Sequence, residues 1–234
     1  MNQPLPPSLA RISAISKALG ELSSEVVFIG GAIAPLLQTE PVIPRVRPTK
    51  DVDAVIASTN YSQQNTLRER LIRLNFREAG FEGAHVHKWT APDGTPFDLV
   101  PAGRHLAGTG SEWDRLALET SVEAVLEPGV TIRHASAPGF LALKWAAFHD
   151  RGEADPFASH DLEDILALIP SRKSIVDELR TSPGAVRDHV RQGFRWLVER
   201  EDYEDLIAGH LSNAQAFKHV AAMVRQRIGA ILEG

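Results

Sequence analysis

At 234 residues the chain is long enough to bury a full core, as one large domain or two small ones. Its 43% hydrophobic and 24% charged residues are those of an ordinary globular protein, and a net charge of −5 supplies no global basic field, so a nucleic-acid partner would have to be held by a local patch. The absence of cysteine excludes disulfides, thiolate metal sites and a cysteine nucleophile, and no apolar run reaches signal-peptide or membrane-spanning length, so a cytoplasmic protein with no membrane association is expected.

Residues 1–7 form a Pro-containing lead-in. Leu9, Ile12, Ile15, Leu19 and Leu22 then recur at helical spacing and predict a helix from residue 8 to 20–22. Val26–Ile29 reads as a short buried strand, Gly30-Gly31 follow directly, and residues 32–37 predict the first turns of a helix. Residues 39–48 are punctuated by proline and predict a surface loop that returns the chain into an extended stretch ending at Ile56. A second helix is predicted over 59–80, with Leu67, Leu71, Leu74 and Phe76 on its apolar side. A hairpin follows, with strands at 85–89 and 97–100 about the turn Pro92-Asp93-Gly94. After a loop at 102–109 come a short helix at 112–119 and a last hairpin, 123–126 with 130–133, about Pro128-Gly129. Ala137-Pro138-Gly139 marks a boundary beyond which helices are predicted at 140–151, 158–168, 171–180, 183–199, 203–209 and 213–232. The expected fold class is α+β: a mixed sheet with flanking helices over residues 1–136, then an all-helical C-terminal domain over 137–234.

Several side chains in this frame carry chemistry. A strand that ends in two glycines and feeds a helix turns backbone N–H groups toward an anion, and the glycines allow close approach. In an extended strand Asp51 and Asp53 share a face. Two such carboxylates repel one another unless a cation lies between them, and Mg²⁺ carrying a triphosphate suits that position. Asp98, a single carboxylate in the otherwise apolar run Phe97-Asp98-Leu99-Val100, is the candidate third ligand. Lys144, among Leu141, Leu143, Trp145 and Phe148, either snorkels from an amphipathic face or reaches a nucleotide's phosphates. Asp161 and Asp164 lie three apart on one helical face, as a solvated flank, as caps or in a second role. His85 and His87 read as an exposed edge-strand pair, and Arg187, Arg191 and Arg195 as a solvated basic ridge.

Taken together, these pieces resemble the nucleotidyltransferases of the DNA polymerase β-like superfamily, and more narrowly the AbiEii/MenT group of toxin-type nucleotidyltransferases. The matching segments are Gly30-Gly31, Arg47-Pro48-Thr49-Lys50-Asp51-Val52-Asp53, Asp98 in its apolar strand, Lys144, and His160-Asp161-Leu162-Glu163-Asp164, spanning roughly residues 26–165. The resemblance implies a polymerase β-like nucleotidyltransferase core and an enzyme that moves an NMP from an NTP, such as ATP, to a hydroxyl acceptor, releasing pyrophosphate. It implies that Asp51, Asp53 and Asp98 hold Mg²⁺ (or Mn²⁺), with Asp98 nearest the nucleophile and Lys144 and Asp161 among the catalytic residues. Gly30, Gly31, Arg47, Thr49, Lys144 and Asp164 would border the nucleotide. The acceptor it implies is RNA, such as the 3′ end of a tRNA, or a protein, within a toxin–antitoxin or phage-defence pair that includes a cognate antitoxin. Family members carry a lysine before the first Asp of the last segment, where this chain has His160. Two rival expectations remain: an aminoglycoside-type nucleotidyltransferase acting on a small molecule, and a catalytically idle nucleotide-binding module.

Overall fold

Four consecutive apolar residues, Val26–Ile29, need cover on both faces, and they find it as β1, a central strand buried at every position. The computed structural model describes residues 4–40, 42, 49–58, 61–79, 87–102, 111–211 and 217–234. Two compact units emerge, Met1–Pro35 with Arg47–Ser136, and Leu36–Val46 with Ala137–Gly234. The architecture is α+β: a mixed sheet with its helices in the first unit and, among the described residues, helices alone as regular structure in the second.

Around β1 the sheet is built from β2 (Val52–Ala57), β3 (Arg77–Glu78), β4 (Lys88–Thr90), β5 (Pro96–Ala102), β6 (Val122–Glu127) and β7 (Val130–His134), in the order β3-β4-β5-β2-β1-β7-β6. The pairs β2–β5 and β1–β7 are parallel and the others antiparallel. Helix α1 (Pro7–Leu19) opens with proline where a missing N–H costs nothing, and buries Leu9, Ile12, Ile15 and Leu19 as its periodicity predicts. It packs against β7, β2 and β6, and a 3₁₀ turn at Gly20–Glu25 carries Leu22 into the core. The segment after Gly30 differs from expectation: a 3₁₀ turn at Gly31–Ile33 leads into α2 (Ala34–Leu37), a single turn of α-helix. Helix α3 (Tyr61–Arg73) is also shorter than the 59–80 expected. Asn75 takes φ of 64° and ends it, Phe76 turns into the core, and Arg77–Glu78 join the sheet edge. Helix α4 (Glu112–Glu119) starts with a capping box between Ser111 and Asp114, and packs against β2, β1 and β5.

The second unit contains α5 (Ala137–Arg151), α6 (His160–Ser171), α7 (Ile175–Thr181), α8 (Gly184–Val198), α9 (Tyr203–Leu211) and α10 (Phe217–Glu233). Helix α5 begins before residue 140 because Pro138 fits a first turn. Helix α6 continues past residue 168 through Pro170, and its exposed carbonyls are capped from afar: Arg227 Nη1 donates to Ile169, Pro170 and Arg172 at 2.7, 3.0 and 3.1 Å. The same end ties in the segment after α2, because Ser171 O accepts from the backbone N–H groups of Thr39 and Glu40. Two of the three arginines expected as a solvated ridge bind carbonyls instead, Arg191 at Ile231 (3.0 Å) and Arg187 at Arg180 (3.3 Å). Among the described residues no helix is long and apolar enough to cross a membrane.

Helices α5 and α8 approach closely because Gly193 lies on the Trp145 ring; a Cβ there would stand 2.2 Å from Trp145 Cδ2. Trp145 also packs edge-on to Phe194 at 5.3 Å between centroids. The buried ring cannot step aside without disturbing its neighbours. Gly193→Ala is expected to destabilise the protein by about 1–3 kcal/mol in urea unfolding, despite alanine's better helix propensity.

Candidate active site

Register decides which carboxylates meet. Strand β2 pairs with β5 in parallel so that Asp53 lies opposite Asp98. Directly paired residues of neighbouring strands present their side chains to one face. Both are half-buried, whereas the flanking Val52, Phe97 and Leu99 face the core. Asp51 immediately precedes β2 and is exposed; Thr49 Oγ1 donates to its Oδ1 at 2.6 Å. Thr49 is buried, and its carbonyl accepts from Arg11 Nη1 at 2.7 Å, so helix α1 anchors the approach to the aspartates. In this structure Thr49 orients the Asp51 carboxylate.

Gly30 is required for two separate reasons. Its φ of 71° lies in the left-handed region, and a Cβ there would stand 2.2 Å from Asp53 Oδ2. Ile29 pairs with Asp53, which brings the glycine against that carboxylate. Gly31 opens the 3₁₀ turn. The helix expected to follow the glycines is only one turn long as α-helix, so its dipole adds little to anion binding here. Arg47 and His85 lie outside the described residues.

Sequence reasoning missed Lys88. Strand β4 pairs it with Asp98, and its Nζ donates to Asp98 Oδ2 at 2.8 Å. The hydrogen bond that Lys88 donates to Asp98 holds its pKa above the ordinary lysine value against partial burial, and the fields of Asp98, Asp53 and Asp51 add to it. One ammonium therefore feels all three predicted carboxylates. A signal existed: counting outward from the Pro92-Asp93-Gly94 turn pairs Thr90 with Pro96, Trp89 with Phe97 and Lys88 with Asp98. Carboxylate oxygens suit a hard divalent ion, and Gly30 leaves the Asp53 carboxylate room. Yet among the described residues no three His, Cys, Asp or Glu side chains already form a metal-holding group. Asp51 and Asp53 are of the donor type such an ion takes, while Asp98 is engaged by Lys88.

Lys144, Asp161 and Asp164 meet in the second unit, on α5 and α6. Lys144 neither snorkels nor faces solvent: it is 8% exposed, with Nζ 3.0 Å from Asp161 Oδ1 and 2.5 Å from Asp164 Oδ2. Arg151 reaches the other oxygen of Asp161 at 2.9 Å, so two cations balance two carboxylates. Burial acts to lower the Lys144 pKa, but the nearby Asp164 and Asp161 charges outweigh it and leave the pKa raised. Asp161 and Asp164 are thus more than a helix cap, which Ser159 supplies by accepting from Leu162 N–H. His160 is exposed beside Glu163, at 3.3 Å.

Removing one member of a buried ion pair strands its partner, so Lys144→Met is expected to cost about 3–5 kcal/mol in urea unfolding near neutral pH. The folded-state pKa of Lys144 lies above its ordinary value of 10.5, so this stabilisation is complete below that value and is lost as pH rises through the raised one. The gap between wild type and Lys144→Met should therefore narrow in the alkaline range beyond about pH 10.5.

No protein-family model matches the sequence, and no curated protein matches it. Among solved structures the chain is similar to the antibiotic-resistance factor ANT(2'')-Ia, at 15% identity and a TM-score of 0.47 over 84% of this chain and 96% of that one. It is similar also to JHP933 from Helicobacter pylori, at 13% identity and a TM-score of 0.49 over 98% of this chain and 94% of that one.

Proposed function

We propose that this chain is a metal-dependent nucleotidyltransferase of the DNA polymerase β-like kind, transferring an NMP from an NTP to a hydroxyl acceptor. The observation that carries the reading is the pairing of Asp53 with Asp98 on one face of adjacent strands, with Gly30 packed against the Asp53 carboxylate. Directly opposed carboxylates destabilise a strand pair unless cations lie beside them, and Lys88 is one such cation, at Asp98. The arrangement is favourable where a cationic ligand completes it.

In this reading Asp51 and Asp53 would hold Mg²⁺ or Mn²⁺, with Asp98 beside them. The ion, when bound, would neutralise charge on the triphosphate and on departing pyrophosphate. Thr49 fixes the Asp51 carboxylate through its hydroxyl, and Arg11 fixes Thr49. Gly30 leaves Asp53 the space its oxygens occupy, so any larger residue would displace the carboxylate. Asp98 offers a carboxylate oxygen to the proton of the attacking hydroxyl. The buried Lys144–Asp161–Asp164 group fixes α5 to α6. The family resemblance favours RNA, such as the 3′ end of a tRNA, or a protein hydroxyl as acceptor, and a toxin held in check by a cognate antitoxin.

The test is label transfer. Incubated with each α-labelled NTP, Mg²⁺ and total cellular RNA or protein, the wild-type chain should label one acceptor class. Asp51→Ala/Asp53→Ala should fall to the level of the protein-free control while retaining the wild-type circular dichroism. Equal labelling by this variant would overturn the reading.

A further inference from the structure

The two edges of the sheet are built differently. At one end β3 is two residues long, Arg77 and Glu78, both charged and exposed, which is how an edge avoids further pairing. At the other end β6 runs for six residues, Val122–Glu127, without proline or lysine, and among the described residues no strand lies on its outer side. Val122 and Val125 are 44% and 72% exposed, although β-branched strand formers gain by being covered. A cleft of about 760 Å³ opens beside the same strand, between Ala10, Ser13 and Ala14 of α1 and Leu126 of β6. The glutamates of β6 have neighbours in their own chain. Arg133 pairs across from Glu123 on β7, and Glu127 accepts from Lys17 Nζ at 2.9 Å and from the Ser13 hydroxyl. The edge therefore does not call for a basic partner strand, and it does not repel its own kind.

Symmetry narrows how β6 can pair with a second copy of itself. Two such edges join antiparallel about a two-fold axis normal to the sheet, and only registers centred on a residue keep every side chain on its own face. A register centred on Glu123 sets that residue against itself, and one centred on Val125 sets Glu123 against Glu127; both oppose like charges directly. Centred on Ala124, the register puts a small residue on the axis, Val122 across from Leu126, and each exposed Val125 across from the Glu123 of the second copy. We infer that β6 is a self-association edge, at which two copies of the chain join antiparallel in the register centred on Ala124 and double the seven-stranded sheet. Strands β7 and β1 separate β6 from β2, so the pairing leaves the strands of Asp53 and Asp98 uninvolved.

Sedimentation velocity on the full chain should show a reversible shift from 25.6 kDa toward twice that mass as its concentration rises to on the order of 100 µM. Val125→Lys, at a position already exposed, should weaken the dimer about tenfold or more while leaving the thermal melt unchanged. The chain has no cysteine, so introduced thiols report the register. Ala124→Cys should form a disulfide-linked dimer on diamide oxidation, because directly paired Cα atoms lie about 4.5–5.5 Å apart, within disulfide reach. Glu123→Cys and Val125→Cys should not cross-link separately but should do so when mixed, which keeps the register testable if Ala124→Cys does not fold. A wild type that stays monomeric at ~100 µM would overturn the inference and leave the edge to a strand of another protein. A dimer that Val125→Lys does not weaken, or that cross-links through residue 123 alone, would overturn it as well, since it would use another surface or register.

Discussion

Two carboxylates placed side by side by parallel pairing are the constraint around which the first unit is arranged. Asp53 and Asp98 are direct neighbours across β2 and β5, and their mutual repulsion has no relief in the apolar residues that flank them. Each nearby irregularity answers that charge. Gly30 adopts a backbone conformation disfavoured for other residues and leaves the Asp53 oxygens their space. Thr49 is drawn inside to donate to Asp51, and Lys88 is delivered by the edge hairpin to Asp98. The antiparallel pairing of β1 with β2 places the end of β1, and hence Gly30, beside Asp53.

The second unit handles the same residue types in the opposite way. Asp161 and Asp164 are almost fully buried, and Lys144 with Arg151 balances them charge for charge. Such a group contributes to a fixed arrangement of helices, because removal of Lys144 strips two buried carboxylates of the cation they share. The sheet cluster is less buried: Asp51 is exposed, and Asp53 and Asp98 are half-buried.

Much of this was legible in the sequence where physics acts locally. The run Val26–Ile29 announced a strand covered on both faces, the spacing of Leu9, Ile12, Ile15 and Leu19 announced α1, and Pro92-Asp93-Gly94 announced the hairpin that carries Asp98. Asp51 and Asp53 stood out because strand alternation makes a D-x-D repeat share a face. The end of α3 was hidden because a left-handed Asn75 leaves no periodic signature in an otherwise helical stretch. Lys88 was hidden because a lysine on an edge strand reads as solvated until the register is counted from the turn. Lys144 was legible as a charge in an apolar helix, but its partners lie on another helix and follow only from tertiary packing. Arg227 at the end of α6 is of the same kind, joining residues more than fifty positions apart.

Paramagnetic broadening of backbone amide resonances by substoichiometric Mn²⁺ tests the shared face of Asp53 and Asp98 most directly. The account predicts that Gly30, Asp51, Asp53 and Asp98 lose their signals first, while residues of β6, at the far edge of the sheet, persist. Broadening that begins at other acidic surfaces, or that spares Asp98 while erasing distant strands, would contradict it.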